Sequence, residues 1–234
     1  LVWRAAAGIQ PACAGTPCGV HIRLEKRIPC GAGLGGGSSD AAATLVGLRR
    51  LWRVGLSDGD LASLASTLGA DVPFFLTGGT ALLTGTGTEV QPLPDLSGYE
   101  ILVVFPGVAI ATKEVYGRVS APLTSALKIS SMARFKHTPT DDLAREVETW
   151  VRAGNALEPY ACALCPAIGD IKDRLQAAGA SAAAMTGSGS AVFGVFRSPA
   201  AIERALADMS ASGLVVMRCA PISRQEYRRR VDID

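Results

Sequence analysis

The chain has 234 residues, 48% of them hydrophobic, and a formal net charge of +2. That length supports one large domain or two small ones with real cores. The near-neutral balance gives no strong field toward nucleic acid or an anionic membrane surface, and no apolar run is long enough to span a bilayer.

The sequence begins at Leu1, and LVWRAAAGI reads as the end of a helix, so a missing N-terminal segment is expected. No signal or transit peptide is visible. In GVHIRLEKRIP, Ile22, Leu24 and Ile28 alternate with Arg23, Glu25 and Arg27, which predicts a strand with one wet face, His21 included. A glycine-rich loop follows. Ala41, Leu45, Leu48 and Trp52 then fall at helical spacing, predicting a helix over 38–53. A second helix begins at Asp58 and ends at Gly69. Pro73 forces a turn in ADVPFFL, and TGGTALLTGTGTEVQPL predicts a β-hairpin. Residues 92–98, PLPDLSG, form the best linker, and ILVVF is a buried strand. KEVYGRV opens helical material that runs with interruptions through DDLAREVETWV. GDIKDRLQAAG is an amphipathic helix. AAAMTGSGSAVFGVF reads as strand, glycine turn, strand, AAIERALADM as a helix and GLVVMRCAPI as a last strand. Strands and helices mix without a strict alternation, which predicts an α+β chain. The six cysteines are scattered, with a single C-x-x-C at Cys162 and Cys165, and are expected to be small half-buried thiols of a reducing compartment.

The loop Pro29–Ser39 raises a physical question, because five glycines fall between positions 31 and 37. Without Cβ atoms, a backbone can approach a polyanion closely and adopt positive φ. Successive N–H groups can then face inward as a nest. A helix opening directly after the loop adds unpaired amides and the positive end of its dipole. Ser38 and Ser39 can cap that helix, and one hydroxyl can reach a phosphate oxygen or a magnesium ion. The Walker pattern fails, since no lysine precedes Ser38. The dinucleotide fingerprint matches Gly31, Gly33 and Gly36, but no acid occurs between Ala41 and Ser57 to bind a ribose. A triphosphate cradle explains the composition best, with a plain glycine turn as the bland alternative.

PCGAGLGGGSSDAA, Pro29–Ala42, resembles the ATP-binding motif of the GHMP small-molecule kinases. LGADVPFFL (68–76), FPGVAIATKEVY (105–116), MTGSGSAVFGVF (185–196) and, weakly, NALEP (155–159) resemble one branch of that family, in the family's order. The resemblance implies a two-lobed α+β fold: a ribosomal protein S5-like N-terminal ATP-binding domain over 1–97, truncated at its start, and a ferredoxin-like C-terminal domain over 98–234. It implies ATP-dependent phosphorylation of the 2-hydroxyl of 4-diphosphocytidyl-2-C-methyl-D-erythritol, in the non-mevalonate isoprenoid route. Another GHMP kinase of homoserine or mevalonate type, or a non-catalytic nucleotide-binding relative, are the alternatives.

By the same resemblance, Pro29, Gly31, Gly33, Leu34, Gly35, Gly36, Gly37, Ser38 and Ser39 hold ATP, and Asp71 is the catalytic carboxylate. On residue type alone Asp71 reads first as a turn former. Thr112 and Tyr116 match positions that hold the cytidine end of the substrate, although Tyr116 also reads as helix packing. Thr186, Gly187, Ser188 and Gly189 match a second glycine loop that faces phosphates. Magnesium is expected to bridge the β- and γ-phosphates, with its protein ligands unknown. Asp40 is either a metal ligand or, more ordinarily, a first-turn acid on the helix dipole. The family's N-terminal lysine and Tyr-His segment have no counterpart, and none of Lys26, Lys113, Lys128, Lys136 and Lys172 takes the lysine's role. A small-molecule substrate, a monomer or weak homodimer, and a bacterial cytoplasmic location, or a plastid one if a transit peptide precedes Leu1, complete the expectation.

Overall fold

The computed structural model describes residues 1–13, 18–119 and 143–231. The chain divides into two compact units: residues 1–28, 35–95 and 222–234 form one, and residues 29–34 with 96–221 the other.

The first unit is built mainly from helices. Helix α1 (Val2–Ile9) buries Ala5 and Ile9. Helix α2 (Gly36–Leu51) buries Ala41, Leu45, Val46 and Leu48, and α3 (Asp58–Leu68) buries Leu61, Ala65 and Leu68. These side chains, with Val72, make one core. The start of α3 is set by Ser57, not Asp58: the Ser57 hydroxyl accepts from the Asp60 N–H at 3.1 Å, and the Asp60 carboxylate accepts from the Ser57 N–H at 3.2 Å. This reciprocal capping satisfies two amides that the helix itself cannot. A short α4 (Phe74–Thr77) follows Pro73. The expected hairpin is present as β1 (Ala81–Thr84) paired antiparallel with β2 (Glu89–Pro92).

Two readings of this unit are corrected. Residues 21–28 are exposed and form no strand. Among the described residues, no backbone hydrogen bond reaches 19–28, and a strand has no stability without a ladder partner. The alternation was real, but periodicity does not supply a neighbour. The cysteines are not all thiols either, because Cys13 and Cys18 form a disulfide with Cα atoms 6.5 Å apart.

The second unit is a four-stranded antiparallel sheet covered by helices. In chain order its elements are β3 (Glu100–Phe105), α5 (Thr112–Gly117), α6 (Leu143–Ala153), α7 (Glu158–Cys162), α8 (Ala167–Ala177), β4 (Ala182–Met185), β5 (Val192–Phe196), α9 (Pro199–Ala211) and β6 (Val215–Cys219). The strand order β4-β5-β3-β6, with β4 and β5 joined as a hairpin and helices in the two longer connections, is the ferredoxin-like topology. Leu102 and Val104 of β3, Ile168, Ile171 and Leu175 of α8, and Ile202 and Met209 of α9 share its main core. Each such fully buried side chain contributes about 1.5–3 kcal/mol. Residues 120–142, where part of the interrupted helical stretch was expected, lie outside the described residues. Burial, and then the Glu158 carboxylate, push the Cys162 thiol up. It therefore stays protonated, as expected of a structural cysteine.

The C-terminal helix α10 (Arg224–Val231) has no core residue and is absent from the sequence reading. It closes the first unit through polar contacts. Arg224 donates to Thr80 O and Leu93 O at 2.8 and 3.1 Å, and its N–H donates to Asp95 at 2.9 Å. The Tyr227 hydroxyl donates to Phe75 O at 2.7 Å, and burial raises the Tyr227 pKa. Tyr227→Phe is expected to cost about 0.5–1.5 kcal/mol, read as a lower midpoint in urea unfolding; an unchanged midpoint would show that α10 is not anchored there.

Candidate functional site

The second unit places the first half of the glycine-rich segment against the TGSGS loop. Gly31 and Gly33 have φ of +67° and +74°. The Gly31 carbonyl accepts from Ile110 N–H at 3.1 Å, and the Ala32 carbonyl from Ala191 N–H at 3.0 Å. The Thr186 hydroxyl donates to Gly33 O at 2.9 Å. A Cβ on Gly33 would stand 2.2 Å from Thr186 O, and one on Gly187 would stand 2.8 Å from Gly33 O. Only two bare backbones can approach this closely.

The same loop meets the start of α5, where the Thr112 and Ser188 hydroxyls lie 2.9 Å apart. Thr112, Thr186, Gly187, Ser188 and Gly189, named separately from sequence, are thus brought together. Tyr116, one turn further along α5, is 51% exposed, whereas Val115 takes the buried position. Its ring is therefore not the packing element of that helix. Asn155, from the weakly matching NALEP stretch, donates to Met185 O and Gly187 O at 3.1 and 2.7 Å.

The first unit carries the other half of the glycine segment. Gly35 takes a left-handed conformation and α2 opens at Gly36 with no side-chain cap. This corrects the expected capping role of Ser38 and Ser39: both lie inside the first turn, and the Ser39 hydroxyl donates back to Gly36 O at 2.9 Å. Among the described residues, the N–H groups of Gly36, Gly37 and Ser38 have no protein acceptor. A Cβ on Gly36 would lie 2.8 Å from Ile28 Cγ2, and one on Gly35 would lie 2.8 Å from Phe75 Cζ. The ADVPFFL segment therefore packs against the opening of α2. Within that segment, Val72 is fully buried and its N–H donates to Gly69 O at 3.1 Å. Asp71 rides on this turn, exposed, and no hydrogen bond or ion pair of its carboxylate is seen among the described residues.

Lys26, given no role from sequence, stands beside the opening of α2. Its amino group pairs with Asp40 and lies 3.3 Å from the place of a Gly36 Cβ, at the start of α2. No spacing rule pointed to it, because it precedes the loop instead of following it. Asp40 sits in the second turn of α2, not the first, and neutralises this lysine.

Residues 1–79 match the model of the GHMP kinases N terminal domain and residues 141–214 that of the GHMP kinases C terminal. The chain belongs to the GHMP kinase family. A protein of Solibacter usitatus named 4-diphosphocytidyl-2-C-methyl-D-erythritol kinase is 42% identical over 232 residues, covering 97% of this chain and 71% of that protein. Relatives of the same name from Pelotomaculum thermopropionicum and a Polaromonas species are 42% and 46% identical, and the chain spans 66% and 59% of their lengths. Among solved structures, a 4-(cytidine 5'-diphospho)-2C-methyl-D-erythritol kinase superposes with a TM-score of 0.68 at 36% identity, covering 94% of this chain and 78% of that one. A homoserine kinase from Cytophaga hutchinsonii superposes with a TM-score of 0.65 at 20% identity, covering 85% and 68%, and shares the fold.

Gly33→Ala is expected to destabilise the chain by more than about 2 kcal/mol, since it combines positive-φ strain with a backbone clash. Gly47→Ala, in open space on α2, is expected to stabilise it by about 0.5–1 kcal/mol. Thermal unfolding of the two variants checks both; a tolerated Gly33→Ala would refute the tight apposition of the loops.

Proposed function

We propose that this protein transfers the γ-phosphoryl group of ATP to the 2-hydroxyl of 4-diphosphocytidyl-2-C-methyl-D-erythritol, releasing ADP and the 2-phosphate. The observation that carries this reading is the 42% identity to a curated relative of that name across 97% of the chain. The site chemistry supports it. Pro29, Gly31, Gly33, Leu34, Gly35, Gly36, Gly37, Ser38 and Ser39 form the nucleotide loop, in which the uncapped first-turn amides of α2 offer donors and a positive dipole end to phosphate oxygens. Lys26 adds a cation beside that turn. Asp71, with a free carboxylate, orients the acceptor hydroxyl and takes its proton as the oxygen bonds to phosphorus and the bond to ADP breaks. Phosphoryl transfer needs little covalent help, so positioning and charge neutralisation supply most of the acceleration.

Thr112 and Tyr116 are assigned to the cytidine end, the Tyr116 face being available for stacking. Thr186, Gly187, Ser188 and Gly189 are assigned to phosphates. Magnesium, when bound with ATP, screens the β- and γ-phosphate charge. Among the described residues no group of three His, Cys, Asp or Glu side chains could hold it, so its contacts are assigned to the phosphates and a serine hydroxyl at the start of α2. By sequence order, residues 1–97 are proposed as the ATP-binding domain and 98–234 as the C-terminal domain, although residues 29–34 pack with the second unit and 222–234 with the first. No helix among the described residues is long and apolar enough to cross a membrane, and a cytoplasmic monomer or weak dimer is the proposed state.

Asp71→Asn is expected to lower turnover by at least about 10²-fold while ATP binding persists. Coupled ADP release with the cytidyl substrate, homoserine and mevalonate offered in parallel checks both the residue and the acceptor. Unchanged turnover would remove Asp71 from the mechanism, and preference for another alcohol would replace the substrate.

A further inference from the structure

Asn155 makes three hydrogen bonds, which use every polar atom of its amide. Its Oδ1 accepts from Leu157 N–H at 2.9 Å, and its Nδ2 donates to Met185 O at 3.1 Å and to Gly187 O at 2.7 Å. One side chain thereby grips the carbonyls on either side of Thr186. A second peg stands beside it: Glu158, which is ion-paired with Lys172, accepts from Met185 N–H at 3.1 Å. Both pegs come from the α7 region, 30 residues away in sequence, so the loop conformation is imposed from outside the β4–β5 hairpin.

The consequence follows from peptide geometry. The Gly187–Ser188 peptide is trans, so its C=O and N–H point in opposite directions. Holding Gly187 O against Asn155 turns the Ser188 N–H away from α7. That N–H, and the one before it on Gly187, have no protein acceptor among the described residues. Two successive partnerless donors, with φ +55° at Gly187, are the donor set that an oxyanion-binding nest requires. We propose that Asn155 is a positioning residue that aims the Ser188 amide at a diphosphate oxygen. This deepens the kinase reading of the same loop and rests on it for the identity of the diphosphate, which belongs to the cytidyl substrate or to the nucleotide donor.

The test is an amide-resolved NMR titration of the chain with CDP and, separately, with ADP. The Ser188 amide is expected to shift and saturate with one of them, which tells the two sources apart. Asn155→Asp keeps the acceptor for Leu157 but presents an acceptor to two carbonyls, so the 187–188 peptide loses its restraint. It is expected to weaken the Ser188 response at least tenfold while the response of the Gly36–Ser38 amides to ADP holds, with a lower melting temperature from the two lost hydrogen bonds. A response of Ser188 that is equally strong in Asn155→Asp overturns the proposal, and so does a uniform loss at both loops, which marks a purely structural role. If the variant does not fold, the wild-type titration decides: a Ser188 amide indifferent to saturating CDP and ADP overturns the proposal. A saturating Ser188 shift in a protein that phosphorylates none of the alcohols offered would retain the clamp and discard the kinase reading.

Discussion

The second unit depends on the approach of two backbones that carry no side chains where they meet. Gly33 and Gly187 lie so close that a methyl group on either would strike main-chain oxygen. Such an approach leaves carbonyls facing one another, and these carbonyls need donors. Thr186, Ile110 and Ala191 supply them to the glycine segment, while Asn155 supplies them to the second loop. With the carbonyls satisfied by the protein, the remaining N–H groups are left for a ligand. The donor-rich, acceptor-poor character of these loops thus follows from where the carbonyls are tied.

The opening of α2 reaches the same result by another route. A left-handed Gly35 lets the helix begin at Gly36 without a capping side chain, so its first amides stay unsatisfied. A serine or aspartate at that cap would have been worth about 1 kcal/mol to the helix. The chain forgoes this, and Ile28 and Phe75 fill the space beside Gly36 and Gly35. The packing holds an open helix end in place and excludes the side chains that would close it. Lys26, neutralised by Asp40, keeps a cation beside that end without leaving it an unpaired charge.

What the two loops have in common is that their supports lie far off in sequence. Phe75, fixed through its carbonyl by Tyr227, underlies Gly35. Asn155 and Glu158 underlie the Met185–Gly187 turn. A substitution in α7 or α10 can therefore alter a glycine loop it does not resemble in sequence, which is ordinary for sites whose reach to ligand is through main chain.

The sequence by itself determined the local order and the motifs. Helical spacing in α2, α3, α8 and α9, the β1–β2 hairpin, the β3 run and the β4–turn–β5 stretch were legible because each is a short-range pattern. So were both glycine loops, whose composition has no other ready use. The tertiary structure decided the rest. It left residues 20–28 without a ladder despite their alternation, because pairing needs a partner that periodicity does not name. It started α2 at Gly36, where only the αL turn at Gly35 could set the boundary. It joined Cys13 to Cys18, placed Lys26 against Asp40, and drew Asn155 to Gly187. The Lys26 and Asn155 contacts depend on how separated segments pack, which no spacing rule encodes; Cys13 and Cys18 are only five positions apart, but spacing alone does not tell a pair of thiols from a disulfide.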